Sequence, residues 1–80
     1  RVVVVGGSKT ADILVSEFSK NKSFGYKLVK RLRDFNLDTA KEFEEFLKIK
    51  EVDEIIQADP NLPKAEFLRL YDFADERNII

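Results

Sequence analysis

Eighty residues make one small domain, near the lower limit of what buries an adequate core unaided. The chain has no cysteine and no histidine, so disulfides and ordinary zinc sites are excluded, and packing by its 44% apolar residues must hold it together. Fourteen basic against fifteen acidic side chains give a net charge of −1, which argues against a general nucleic-acid binder, and no apolar run reads as a membrane span or signal peptide.

The first predicted element is a strand over Val2–Val5, four β-branched residues without alternation, as a strand covered on both faces requires. Gly6 and Gly7 end it. A helix follows with Ala11, Leu14, Val15 and Phe18 on one apolar stripe, and Asn21 and Gly25 are its stop signals. Tyr26–Arg33 reads as a second strand, and its basic later half suits a sheet edge. Asp34–Asp38 is a turn, with Asp38 expected to cap a second helix whose buried stripe is Ala40, Phe43, Phe46 and Leu47. On its charged face Glu44 and Lys48 sit one turn apart, in the favourable order for pairing, and the charge run reads as solvated surface.

Val52–Ala58 is a third strand, followed by a turn at Asp59–Asn61 and a third helix with Pro63 in its first turn. The expected apolar face of that helix comprises Ala65, Phe67, Leu68, Leu70, Tyr71 and Ala74, with Tyr71 read as core. Asn78 terminates it, and Ile79-Ile80 are expected to begin a fourth strand. With no methionine, even at position 1, the expectation is a piece of a longer chain.

Regular strand–helix alternation implies right-handed crossovers and a three-layer α/β domain: a parallel sheet of about four strands, helices on both faces. An interior first strand and an edge second strand give the order 2-1-3-4, which reverses between strands 1 and 3. Ligands of such sheets bind beyond the carboxyl ends of the strands at the reversal.

Gly6, Gly7, Ser8, Lys9 and Thr10 would line that crevice on one side and Gln57, Ala58, Asp59 and Pro60 on the other. Glycines let a phosphate approach the backbone, helix amides would point at it, Ser8 and Thr10 add hydroxyls, and Lys9 adds a charge. A dinucleotide turn asks for Gly-x-Gly-x-x-Gly or Ala. Gly6 and Ala11 fit its first and third positions, whereas Ser8 stands at the second, so the glycines read equally as a tight strand-to-helix turn. Asp34 closes strand 2 where an acid would hold a ribose hydroxyl, beside Arg33, which could meet a 2′-phosphate; a turn-forming aspartate is the simpler reading. Asp59 either orients a sugar hydroxyl or caps the turn before the last helix. No pair of carboxylates, lysines or tyrosines stands out by spacing, so no catalytic residue and no metal ligand is assigned.

The segments "RVVVVGGSKTADILVSEFSKNKSFGYKLV" and "VDEIIQADPNLPKAEFLRLYDFADERNII" together resemble the central Rossmann-like, CoA-binding-like domain of bacterial polyprenyl-phosphate sugar-phosphate transferases. Gly25-Tyr26, Val52–Ile56 and Glu76–Ile79 fall where that family's patterns place them; Lys30-Arg31 stand where it has a glycine. The resemblance implies a membrane-embedded parent, on the cytoplasmic face of the bacterial inner membrane. That parent would move a sugar phosphate from a nucleotide sugar to undecaprenyl phosphate, in the initiation of capsule and exopolysaccharide synthesis. It would place the catalytic residues outside these 80 and map only Gly6 and Asp34 onto the family's turn and strand-2 acid. The expected role of the domain is nucleotide or nucleotide-sugar binding and regulation, with NAD(P) or a nucleotide sugar as ligand and self-association left open. The alternatives are an NAD(P)-binding domain of a nucleotide-sugar epimerase or dehydratase, whose Tyr-x-x-x-Lys does not occur here, and a ligand-free interaction module.

Overall fold

The computed structural model describes residues 1–20 and 25–80. Among these residues three strands and three helices alternate: β1 (Val2–Val5), α1 (Lys9–Lys20), β2 (Leu28–Leu32), α2 (Leu37–Leu47), β3 (Glu54–Gln57) and α3 (Lys64–Glu76). The sheet is parallel throughout, in the order β2-β1-β3, so the valine strand is central and the basic strand is at an edge.

Successive valines point to opposite faces and so nucleate two cores. Val2 and Val4 pack with Ala11 and Phe18, joined by Leu14 and Val15, which puts α1 and its expected stripe on one face. Val3 and Val5 pack with Phe35, Phe43, Leu70 and Phe73, which puts α2 and α3 on the other. Three phenylalanines form the centre of this larger core: Phe35 meets Phe73 and Phe43 edge-on at 5.3 and 6.3 Å, and Phe43 stacks on Phe73 at 5.4 Å.

The β2 pairing slips by one residue between Val2 and Val3, so that Val2 lies beside Leu28 and Val3 beside Lys30. This irregularity resets the alternation of β2. Past it, Lys30 falls on the α2 face, over the Phe46 ring at 5.3 Å and paired with Glu42 at 3.2 Å. Arg31 falls beside Val4, on the α1 face.

Four expectations need correction. The sheet has three strands among the described residues, not four: Ile79 and Ile80 supply one bond, the Ile80 carbonyl accepting the Ile55 N–H at 3.0 Å, and one bond does not make a ladder. The cap of α2 is Asn36, not Asp38; its extended backbone lets its Oδ1 accept the Thr39 N–H at 2.9 Å, while Asp38 already lies in the first turn. Lys48 pairs with Glu45 rather than Glu44, whose carboxylate reaches instead to Arg77 beyond α3. The Asn21 stop signal lies outside the described residues; Gly25, at φ +76°, and Asn78, at φ +55°, both take the left-handed conformation that ends helical runs.

The fourth correction concerns α3, whose inward face is Leu70 and Phe73, while Phe67, Leu68 and Tyr71 are exposed. Apolar spacing alone fits either face. The choice is made by Phe35, whose N–H donates to Glu66 Oε1 at 2.8 Å and whose carbonyl accepts from Arg69 Nη1 at 2.9 Å. Arg77 then covers the Phe73 ring from 3.7 Å. With the helix fixed in this rotation, Tyr71 points to solvent.

Phe43, fully buried among these rings, sets the stability of the domain. Phe43→Ala is expected to cost about 3–5 kcal/mol, a large share of the total stability of a domain this size. Ile13→Ala on the outer side of α1 should cost less than about 0.5 kcal/mol. Urea unfolding followed by circular dichroism checks both, and comparable losses at the two positions would refute this placement of the core.

Candidate functional site

The site is the carboxyl end of β1, where the chain passes through Gly6 and Gly7 into α1 with the ends of β2 and β3 on either side. The backbone leaves the sheet by an abrupt turn. Gly6 has φ +147°, which a side chain would strain, and an added Cβ would stand 2.9 Å from the Asp59 Cβ. Its N–H still belongs to the sheet, donating to the Leu32 carbonyl at 2.8 Å. Gly7 lies against the end of β2, where an added Cβ would stand 3.2 Å from the Arg33 carbonyl oxygen.

Ser8 starts α1. Its hydroxyl accepts the Ala11 N–H at 3.3 Å and donates to the Ala58 carbonyl at 2.8 Å, joining the helix start to the end of β3. Lys9 and Thr10 are exposed on the first turn, and among the described residues no hydrogen bond or ion pair engages either side chain. Asp59 faces this turn from the other wall. Its Oδ2 accepts the Gly7 N–H at 3.3 Å and its Oδ1 accepts the Asn61 N–H at 2.9 Å. The Gln57 side-chain amide donates to the Asp59 carbonyl. The turn-capping reading of Asp59 is therefore realised, and its carboxylate occupies one of the amides expected to meet a phosphate.

The structure brings Gly6, Gly7, Ser8, Lys9, Thr10 and Asp59 to one rim. Asp34 follows Arg33 at the end of β2 and is half-buried, with its Oδ1 accepting the Thr39 hydroxyl, so it braces the start of α2 as a turn aspartate.

Arg31 and Asp12 are the residues sequence reasoning missed. Arg31 Nε and Nη2 donate to the Gly6 carbonyl at 3.1 and 2.9 Å, and Nη1 meets Asp12 Oδ1 at 2.7 Å. One guanidinium thus ties β2, the glycine turn and the first turn of α1 together. The signal was hidden because the pairing slip in β2 reverses the side expected from strict alternation. No group of three or more potential ligands gathers to hold a metal among the described residues. The rim carries the first amides of α1, the Lys9 ammonium, the Ser8 and Thr10 hydroxyls and the Asp59 carboxylate.

No protein-family model matches the chain, and no curated protein or solved structure matches it either.

The two glycines should differ sharply. Gly6→Ala combines strained backbone with a clash and is expected to cost about 2–4 kcal/mol, whereas Gly7→Ala needs only a small shift of Arg33 and should cost about 1 kcal/mol or less. Equal losses in thermal or urea unfolding would contradict this geometry. Arg31→Met should cost about 1–3 kcal/mol, because the buried Gly6 carbonyl loses both donors. Asp12→Asn, on a half-exposed carboxylate, should cost less than about 1 kcal/mol; a loss as large as that of Arg31→Met would show that the ion pair, not the backbone contact, is what matters.

Proposed function

We propose that this chain is a non-catalytic, regulatory nucleotide- or nucleotide-sugar-binding domain, Rossmann-like in kind. We further propose that it belongs to a bacterial sugar transferase that starts polysaccharide synthesis on undecaprenyl phosphate at the cytoplasmic face of the inner membrane. The observation that carries the binding reading is the position of Gly7, Lys9 and Thr10. They are exposed just before and within the first turn of α1, beyond the carboxyl end of a central parallel strand with a neighbour on each side. Helix-start amides and a lysine favour a phosphate there, and the Asp59 carboxylate suits a ribose or sugar hydroxyl donor. The assignment to a sugar transferase is supported by the resemblance of the two long segments quoted above.

A ligand-free interaction module is the second reading, and the bond from Gly7 to Asp59 favours it, because a carboxylate at the turn repels an incoming phosphate. Titration with NAD, NADP and a UDP-sugar, followed by amide chemical shifts, separates the two. Nucleotide binding predicts that Gly7, Lys9 and Thr10 move at millimolar ligand, and that Asp59→Asn tightens a phosphate-bearing ligand about tenfold. If these amides stay still in both proteins, the nucleotide reading falls and the interaction module stands.

A further inference from the structure

Among the described residues nothing covers the outer face of α3. Phe67, Leu68 and Tyr71 are 45%, 50% and 63% exposed, side by side on a helix whose other face supplies Leu70 and Phe73 to the core. At about 100° per residue, Lys64, Leu68, Tyr71 and Asp75 fall on a strip about 60° wide, with Phe67 along its margin. The strip is basic at its N-terminal end, apolar in the middle and acidic at its C-terminal end. Among the described residues neither Lys64 nor Asp75 takes part in an ion pair.

These two charges are also at the wrong ends for the helix that carries them. The positive pole of the helix dipole is at the N-terminus, where Lys64 sits, and the negative pole at the C-terminus, where Asp75 sits. The last turn itself holds no basic residue, Arg77 just beyond it is engaged with the Phe73 carbonyl and with Glu44, and Glu66, the acid of the first turn, is committed to the Phe35 N–H. An antiparallel copy of the same helix corrects both faults. Crossing with Leu68 of one chain against Tyr71 of the other, it sets each Lys64 level with the opposite Asp75, the two charge pairs lying about 16 Å apart along the axis, and opposes the two dipoles.

We propose that the outer face of α3 is a self-complementary docking surface for a second copy of this chain, packed antiparallel about a two-fold axis through the Leu68–Tyr71 contact. A two-fold pair needs one patch complementary to itself, and the order basic, apolar, acidic along a single strip is such a patch. The apolar surface extends from Phe67 and Tyr71 into a groove of about 320 Å³ against Ile55 of β3, where Ile80 is also exposed. A single helix pair covers less than the roughly 800 Å² per partner of a standard interface, so the association is weak, with a Kd on the order of 100 μM. This surface is separate from the glycine rim and stands whether or not a nucleotide binds there.

Sedimentation velocity from about 10 μM to 1 mM tests the proposal. The unaltered chain should pass from monomer to dimer over this range. Lys64→Glu and Asp75→Lys should each raise Kd about tenfold by opposing like charges, and the double exchange should return it to within about threefold. Tyr71→Ser should leave monomer throughout. The monomer's melting temperature, measured at low concentration, should hold or rise in Lys64→Glu because that change suits the helix dipole, so its weaker association is not a loss of fold. A chain monomeric at every concentration, a dimer indifferent to both single exchanges, or a double exchange as weak as either single one would each overturn the proposal.

Discussion

The four valines of β1 leave the chain little choice of architecture. Their side chains are apolar on both sides of the strand and fully or almost fully buried. Their peptide groups must still find hydrogen-bond partners away from water. Only a sheet neighbour at each edge and a covering layer on each face meet both demands. Parallel neighbours need long crossovers, which α1 and α2 supply. Right-handed crossovers to β2 on one side and to β3 on the other then send α1 to one face and α2 to the opposite one, where α3 joins α2 around Phe43 and Phe73. The two cores, the strand order and the position of the glycine turn follow from the burial of one short segment.

At the carboxyl end of that segment the same requirement for partners produces a turn stitched by its own chain. The Gly6 carbonyl is held by Arg31, the Gly7 amide by Asp59, and the Ser8 hydroxyl by the Ala11 amide and the Ala58 carbonyl. Two consecutive glycines would otherwise be costly to order. These bonds give the turn one conformation, but they also use groups that would greet a ligand. Lys9, Thr10 and the first amides of α1 are what the rim still offers. An anion that settles there competes with Asp59 for the Gly7 N–H, and the longer, exposed bond of that pair is the easiest of the set to exchange.

The central strand, the parallel sheet, the edge position of β2 and the stripes of α1 and α2 were legible because each rests on a local pattern with a single period. Phe43 and Phe18 are buried where spacing placed them. Legibility ended where a long-range contact decided. The cap of α2 passed from Asp38 to Asn36 because the helix begins one residue after Asn36. The rotation of α3 was set by Phe35, a residue of the preceding loop whose backbone is gripped by Glu66 and Arg69, and nothing near residue 70 announces that grip. Arg31 was hidden by the slip in β2 pairing. For the rim, the chain segments that meet were legible from topology, but the internal occupancy of the Gly7 amide by Asp59 depends on turn geometry that spacing does not encode.

Helix α3 shows how function and folding divide a single element. Its inner residues are fully employed: Glu66 and Arg69 hold Phe35, Leu70 and Phe73 fill the core, and Arg77 beyond its last turn seals the Phe73 ring. Nothing in that set calls for Leu68 or Tyr71, and burying them would require a rotation that takes Phe73 out of the aromatic cluster. Lys64 and Asp75 weaken the isolated helix through its dipole. Residues that expose apolar surface and oppose the dipole at both ends are poorly explained by the stability of one chain. They become mutually consistent when a second α3 runs against the first in the opposite direction, since the charge that is unfavourable on one helix is then the favourable counter-charge of the other.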